Sequence, residues 1–457
     1  MDLQSSEFRL TPAQRMFYLH DILGQIIDHL TDRTSLHALT LTHSTCYFLA
    51  ARHLWAKLDS LRPLIALLPT DKLPSSLHIF SRLQLTGAED DTLSRWRLYS
   101  PFVSSVSLDF CLLGKRAPLR HFWQYHTVAS ERLDQLNRDV MHSLEPFATP
   151  EGIILPNLRE VVMKSYTPTG CEAAKILSPC LDRLCITLPG KGSEGIEESS
   201  EQSVFTLPPH FPHLRSLVID GSEGTLPGRK AVIQALQDLP LTSFKIKCNL
   251  ARSADLLLAL STLPLQELEI DDTSQRWPTL FVNDERWGDM YDSPLADFLG
   301  AEQVTELHKQ HKLKFPHLTE LTVASTLPFC CAMIRALGAN LTRLKVQTIL
   351  PRSEDLQTLT EAISSHALKL HHLSLILRDA DSLTSACWPA IYTLSKLDMH
   401  TFQLECRYGH VSDAFQVSEE RLALLVSGWN GVREVKVGTV RRDGWGLYPL
   451  QSVSLEF

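Results

Sequence analysis

FPHLRSLVID at Phe211–Asp220 and FPHLTELTVAS at Phe315–Ser325 open on the same four letters and continue with the same pattern. In both, a leucine is followed by two positions and then by an alternating apolar pair, Leu217 with Ile219 and Leu321 with Val323. Such alternation marks a short strand with one buried face, because successive side chains leave a strand on opposite sides. The unit recurs as LPNLREVVM (155–163), LDRLCITL (181–188), PLTSFKIKC (240–248) and PLQELEID (264–271). Later copies are LTRLKVQT from Leu341, LHHLSLIL from Leu370, HTFQLEC from His400, VREVKVG from Val432 and LQSVSLEF from Leu450; a weaker one, VSSVSLDF, starts at Val103.

The spacing sets the architecture. Leu184, Leu217, Phe244 and Leu268 lie 33, 27 and 24 residues apart, and Leu321, Leu344, Leu373 and Phe402 follow one another at 23, 29 and 29. Each interval holds one strand plus one helix or loop, as in a leucine-rich repeat. RKAVIQALQDL (229–239), ADLLLALSTL (254–263) and EDLQTLTEAISSH (354–366) read as the intervening helices. The expected fold is α/β: an N-terminal helical domain (1–60), a helical linker or cap (61–100), then an irregular leucine-rich-repeat-like solenoid (101–457) with a mainly parallel curved sheet. A doubly wound α/β domain would instead show its strands as solid apolar runs.

Two segments interrupt the array. The stretch GKGSEGIEESSEQS (190–203) lacks core formers and reads as a loop. Between Leu268 and Leu321 the interval widens to 53 residues, an insertion over 272–314 that carries Trp277, Phe281, Trp287 and Tyr291. Ser293-Pro294 then predicts the start of a helix running towards Lys312.

Bulk properties narrow the function classes. The chain has 457 residues, 44% hydrophobic and 21% charged, as soluble globular proteins do. A formal net charge of −8 disfavours a dedicated nucleic-acid binder and a polybasic membrane anchor. The polar start Met1–Leu10 does not read as a signal segment, and no apolar run approaches the roughly 20 residues needed to cross a bilayer. The expectation is a soluble cytoplasmic or nuclear protein with no nucleic-acid or membrane partner. Its ten cysteines show neither a CxxC pair nor a Cys/His zinc ladder, so they read as reduced, buried thiols.

No catalytic or metal constellation emerges. Gly190-Lys191-Gly192-Ser193 lacks the upstream glycine of a phosphate loop, and no Gly-x-Ser-x-Gly elbow occurs. Asp271-Asp272 and Asp379 with Asp381 read as solvated turn residues. His308 and His311 sit three apart on an expected helix without acidic or cysteine partners. His371-His372, just ahead of a strand, cannot both point at one metal. The expectation is a chain with no cofactor, no metal site and no catalytic residue. A binding surface remains. Outward residues flanking the buried pairs place Lys245 and Lys247 of one repeat beside Glu267, Glu269 and Asp271 of the next. Arg343 and Lys345 form a second basic patch. With Trp277 and Trp287 of the insertion, the Lys245–Asp271 strands are the candidate substrate site, since aromatic anchors dominate many interfaces.

At the other end, Tyr18–Leu58 reads YLHDILGQIIDHLTDRTSLHALTLTHSTCYFLAARHLWAKL. Ile22, Ile26 and Leu30, with Leu23 and Ile27, form one helical apolar face. A polar break at Thr31–Ser35 precedes Leu36, Leu39 and Leu41, and Phe48, Leu49, Leu54, Trp55 and Leu58 complete a third helix. About 40 residues cannot bury so many apolar groups internally, so a partner or the next domain must cover some of them. This segment resembles an F-box. Asp21-Ile22-Leu23 matches its acidic-Ile-Leu start, Ile26 and Leu30 follow in register, Leu36 and Leu39 fit its second helix, and Leu54-Trp55 matches its terminal Leu-Trp. The family's opening Leu-Pro is Tyr18-Leu19 here, and its Val-Cys/Ser-Arg is Thr42-His43-Ser44. LDSLRPLIALLP (58–69) and LSRWRLYSPFVSSVSLDF (93–110) resemble the corresponding junction of fungal, basidiomycete-type F-box proteins.

The resemblance implies a non-catalytic substrate receptor of an SCF-type ubiquitin ligase, bound through a Skp-type adaptor to a cullin scaffold, with the repeats holding a protein substrate. It implies an adaptor-binding surface formed or supported by Leu19, Asp21, Ile22, Ile26, Leu30, Leu36, Leu39 and Trp55. The alternative is a leucine-rich-repeat interaction scaffold whose degenerate F-box has no ligase role.

Overall fold

A computed structural model describes residues 20–30, 32–67, 95–108, 144–145, 148–149, 153–163, 174, 177–178, 180–187, 211–221, 229–237, 239–247, 253–272, 300–349, 353–378, 387–408, 418–429, 431–443 and 446–456. The chain is α/β, begins with a helical region, and separates into two compact units between Ile186 and Leu214. The N-terminal helices share a unit with the first strands.

In the first unit, α1 (His20–Asp28), α2 (Arg33–Thr40) and α3 (Ser44–Ala56) enclose Leu23, Ile27, Leu36, Cys46 and Ala50, with Leu30, Leu39, Leu49 and Leu54 packed against them. Asp32 caps α2 by accepting from the Ser35 amide at 2.8 Å, and this hydrogen bond holds its carboxyl below the usual carboxylate range. Chain reversal after α3 leads directly into β1 (Lys57–Leu58), followed by α4 (Arg62–Ile65). Strands β2 (Ser105–Leu108), β3 (Glu160–Met163) and β4 (Arg183–Thr187) continue the parallel ladder, which sets Leu58, Val106, Val161 and Leu184 in one buried row.

The second unit repeats strand and helix: β5 (Ser216–Asp220), α5 (Arg229–Gln237), β6 (Ser243–Lys247), α6 (Ala254–Ser261), β7 (Glu267–Asp271), α7 (Ala301–Lys309), β8 (Glu320–Ala324), α8 (Leu327–Leu337), β9 (Arg343–Ile349), α9 (Ser353–His366), β10 (His372–Arg378), α10 (Trp388–Tyr392), β11 (Thr401–Tyr408), α11 (Glu419–Val426) and β12 (Glu434–Asp443). Neighbouring strands are parallel and in register. The ladder aligns Leu217, Phe244, Leu268, Leu321, Leu344, Leu373, Phe402 and Val435 in a row in which no member is more than 2% exposed. Ile219, Ile246, Ile270, Val323, Val346, Leu375, Leu404 and Val437 make a second buried row. Alternation in the sequence thus becomes one dry face of a sheet.

Helices cover that face. Helix α8 (LPFCCAMIRAL) is apolar apart from Arg335, which is exposed, and is correspondingly sunk between α7 and α9, with Phe329, Cys330, Met333 and Ile334 buried. Burial pushes the Cys331 thiol up to about 11 and that of Cys330 higher still, which leaves both as unreactive thiols. The described cysteines are all free thiols, as expected, but Cys180 and Cys185 are only half-buried. At the end of α8, a side chain on Gly338 would meet the His366 carbonyl at 2.8 Å, so only glycine admits the close approach of the α9 terminus.

Three details differ from the expectations. Helix α7 begins at Ala301 behind an extended Gly300, whose amide donates to the Gln303 side chain at 2.8 Å; Ser293 and Pro294, expected to start the helix, lie outside the described residues. His311 lies beyond α7 rather than on it. Finally, β13 (Gly446–Glu456), read from Leu450 as a further repeat, runs antiparallel to β12. Only residues 444–445 separate the two strands, and a parallel return requires a crossover of a dozen or more residues. The loop 190–203 and residues 273–299 lie outside the described residues.

Candidate functional site

Two surfaces stand out, one in each unit. On the first, α1 points Leu23 and Ile27 inward and leaves Asp21, Ile22 and Ile26 outside. Ile22 is 45% exposed and Ile26 42%, one helical turn apart, and Phe48 of α3 (55%) and Leu41 (76%) are exposed as well. Large aliphatic groups exposed together at this level are a feature of interaction sites rather than of ordinary surface. The frame beneath is tied down. His53 meets Asp28 at 3.0 Å and links α3 to α1, and Arg33 of α2 reaches Asp59 at 2.6 Å and the Lys57 carbonyl at 2.8 Å. Trp55 stacks on Tyr99 with ring centroids 4.4 Å apart, and the Tyr99 hydroxyl is hydrogen-bonded to that of Tyr47. Burial, with that contact, raises Tyr99 to about 12.

The residues expected to dock an adaptor therefore separate by role. Asp21, Ile22 and Ile26 are presented; Leu36 is buried, and Leu30 and Leu39 are half-buried against the same core. Trp55 supports the frame from within its stack on Tyr99. Leu19 lies outside the described residues.

The second surface is the open face of the sheet. Parallel register turns its outward positions into transverse rows. The first row runs Ser243, Glu267, Glu320, Arg343, His372, Thr401, Glu434, and the second Lys245, Glu269, Thr322, Lys345, Ser374, Gln403, Lys436. Lys245 contacts Glu267 at 2.5 Å and Glu269 at 3.3 Å, Ser243 donates to Glu267 at 2.7 Å, and Arg343 lies 3.4 Å from Glu320. Burial alone would pull the Lys245 ammonium down, but its bonds to Glu267 and Glu269 prevail and raise it. Lys247 and Asp271 are register partners in the row beyond. The expected juxtaposition of Lys245 and Lys247 with Glu267, Glu269 and Asp271 is thus realised, and the rows continue into a groove of about 330 Å³ bordered by Glu320, Arg343, His372, Thr401 and Glu434. Trp277 and Trp287 lie outside the described residues.

No family model matches the chain, and no curated protein matches it in sequence. Its surfaces carry the functional argument.

One grouping escaped the sequence reading. His372 is hydrogen-bonded to the Thr401 hydroxyl at 2.8 Å and meets the His400 ring edge-on, with centroids 5.9 Å apart. His371 stacks on that same His400 ring, one repeat away, with centroids 4.6 Å apart, beside Asp398. The signal was present in the period. His371 and His400 are 29 residues apart, as are Leu373 and Phe402, so aligning the repeats superposes the two histidines. Among the described residues, no helix is long and apolar enough to cross a membrane.

Proposed function

We propose that this chain is the substrate-recognition subunit of an SCF-type cullin–RING ubiquitin ligase, with a helical F-box that binds a Skp-type adaptor and an irregular leucine-rich-repeat solenoid that binds a protein substrate. The observation that carries this reading is the exposure of Ile22, Ile26, Leu41 and Phe48 on a three-helix frame whose other large apolar residues are buried or half-buried. The segment buries what it can and leaves out residues of its F-box-like motif. On this reading the chain is not an enzyme; the cullin-bound subunits catalyse transfer, and the polar face of β5–β12 positions the substrate. Rigid strands hold both charge signs in fixed rows, which supports selective recognition of a protein surface at small ordering cost.

The test is co-purification of the full-length chain with a Skp-type adaptor, compared between wild type and Ile26→Asp. A carboxylate forced into an apolar contact weakens the complex by at least about 2 kcal/mol, roughly thirtyfold. The melting temperature stays unchanged, because Ile26 already faces water in the free protein. If the wild type fails to retain the adaptor, the chain is an interaction scaffold with a degenerate F-box.

A further inference from the structure

We infer that His371, Asp398 and His400 form a binding site for a zinc-type divalent transition-metal ion, bridging two consecutive repeats at the leading edge of β10 and β11. One ligand atom from each of the three lies within 4.8 Å of the others. The site is built by the backbone. The His371 carbonyl accepts the amides of both His400 and Thr401, at 2.8 and 3.0 Å, so the two histidines hold equivalent places in adjacent repeats. The same forked bond recurs from Thr342 to the amides of His371 and His372, and from His400 to those of Arg433 and Glu434.

The tautomer of His371 is set as a ligand requires. Its Nδ1 lies 2.9 Å from the Asp398 backbone carbonyl, which can only accept, so Nδ1 carries the proton. In the neutral ring the lone pair is then on Nε2. Metal-ligating histidines characteristically bond a carbonyl or carboxylate through the other ring nitrogen in this way. The His400 ring lies over Gly431, where a Cβ would come within 2.9 Å of Cδ2 and 3.0 Å of Nε2; glycine leaves that edge room to turn. His372, adjacent in sequence, is hydrogen-bonded to Thr401, meets the His400 ring only edge-on and is not a member of the cluster.

Two imidazoles and a carboxylate are the donors that borderline ions such as Zn2+ prefer, and three protein ligands leave a fourth position for water or a partner's side chain. A tetrahedral ion with bonds of about 2.0–2.1 Å sets its ligands about 3.3 Å apart. The side chains therefore close by up to about 1.5 Å, and the imidazoles turn out of their 14° stack so that their in-plane lone pairs converge, a rotamer change open to an exposed aspartate and two half-buried histidines.

The experiment titrates the untagged, chelator-stripped full-length chain with Zn2+ and separately with Co2+. The expected result is a Zn2+ equivalent whose affinity falls at least tenfold in His371→Gln, in His400→Gln and in Asp398→Asn, but not in His372→Gln. Even outer-shell changes cost about 10–100-fold at metal sites. Bound Zn2+ also raises the melting temperature of the wild type and not that of the His371→Gln/His400→Gln double variant. Co2+ gives visible ligand-field bands without the intense near-ultraviolet absorption of a thiolate complex. No Zn2+ uptake, equal uptake by the double variant, or a thiolate band overturns the proposal. The cobalt spectrum is read on the wild type, so the outcome does not hinge on how the variants fold.

Discussion

Along β8 and β9, Leu321 and Leu344 are no more than 2% exposed, whereas on α1 Ile22 and Ile26 leave more than two-fifths of their surface in water. The residues are chemically alike, and the difference lies in how each element is completed. A repeat strand finds the next strand in register and a helix above it, so its apolar side is enclosed within the array. The N-terminal helices have only each other and the first strands, and the apolar stripe of α1 is wider than that core can use. The two regions expose opposite chemistry in consequence: large apolar side chains on the helices, and ordered rows of charge on the strands.

The largest effect that tests this contrast comes from the ladder. Phe402 is 1% exposed and packs on Trp429 with ring centroids 5.6 Å apart, while the Trp429 indole donates to the Leu394 carbonyl at 3.1 Å. Phe402→Ala is expected to destabilise the second unit by about 3–5 kcal/mol, as large-to-small core changes do. Ile22→Ala is expected to shift stability by less than about 0.5 kcal/mol. Urea unfolding of the two variants measures both, and equal losses would erase the distinction. Ile26→Asp sharpens it from the other side, since its cost should fall on adaptor binding and not on unfolding.

A smaller effect is expected at Lys245. Its ammonium is raised by Glu267 and Glu269, so the folded state holds the proton more tightly than the unfolded chain. The resulting stability is complete below the ordinary lysine value of 10.5 and disappears as pH rises through the raised folded value. Lys245→Met should lower stability at pH 7 by up to about 1 kcal/mol, the scale of a solvent-accessible ion pair. Chemical denaturation of both proteins across the alkaline range should show the gap narrowing only above pH 10.5. A gap independent of pH would mean that Lys245 acts through its methylene stem.

The ladder was legible in the sequence because one physical constraint repeats. Each strand must alternate to keep a single face dry, and the buried pairs at Leu217, Phe244, Leu268, Leu321 and Leu344 declare both the strands and their common register. The lateral charge pairs at Lys245, Glu267 and Glu269 followed from that register. What stayed hidden depends on turns. The reversal of β13 follows from the two-residue connection, which an inspection of strand-like phrases does not weigh. The His371–His400 pair was missed because sequence neighbours were compared, when in a parallel array neighbours in space are one period apart. At the N-terminus, periodicity gives one apolar face, but only packing tells Leu23 and Ile27 from Ile22 and Ile26.

The smallest predicted effect concerns the chain leaving α7. His311 is the single described non-glycine residue with positive φ, at 54°, and the reason is local. The His311 amide donates to the His308 carbonyl at 2.9 Å and the Lys312 amide to the Leu307 carbonyl at 3.0 Å, the paired bonds of a Schellman helix stop. That stop needs one residue in the left-handed region, where an L side chain pays for a clash between its Cβ and the backbone that glycine avoids. The two hydrogen bonds and the burial of Leu313 at the next step hold the turn in spite of that strain. His311 is exposed, so removing its side chain opens no cavity. His311→Gly should therefore raise stability by about 0.5–1 kcal/mol, the strain relieved outweighing the added freedom of the unfolded chain. Thermal unfolding measures it. A destabilisation of similar size would mean that the imidazole makes a compensating contact, and that this turn is held by its side chain and not by its backbone.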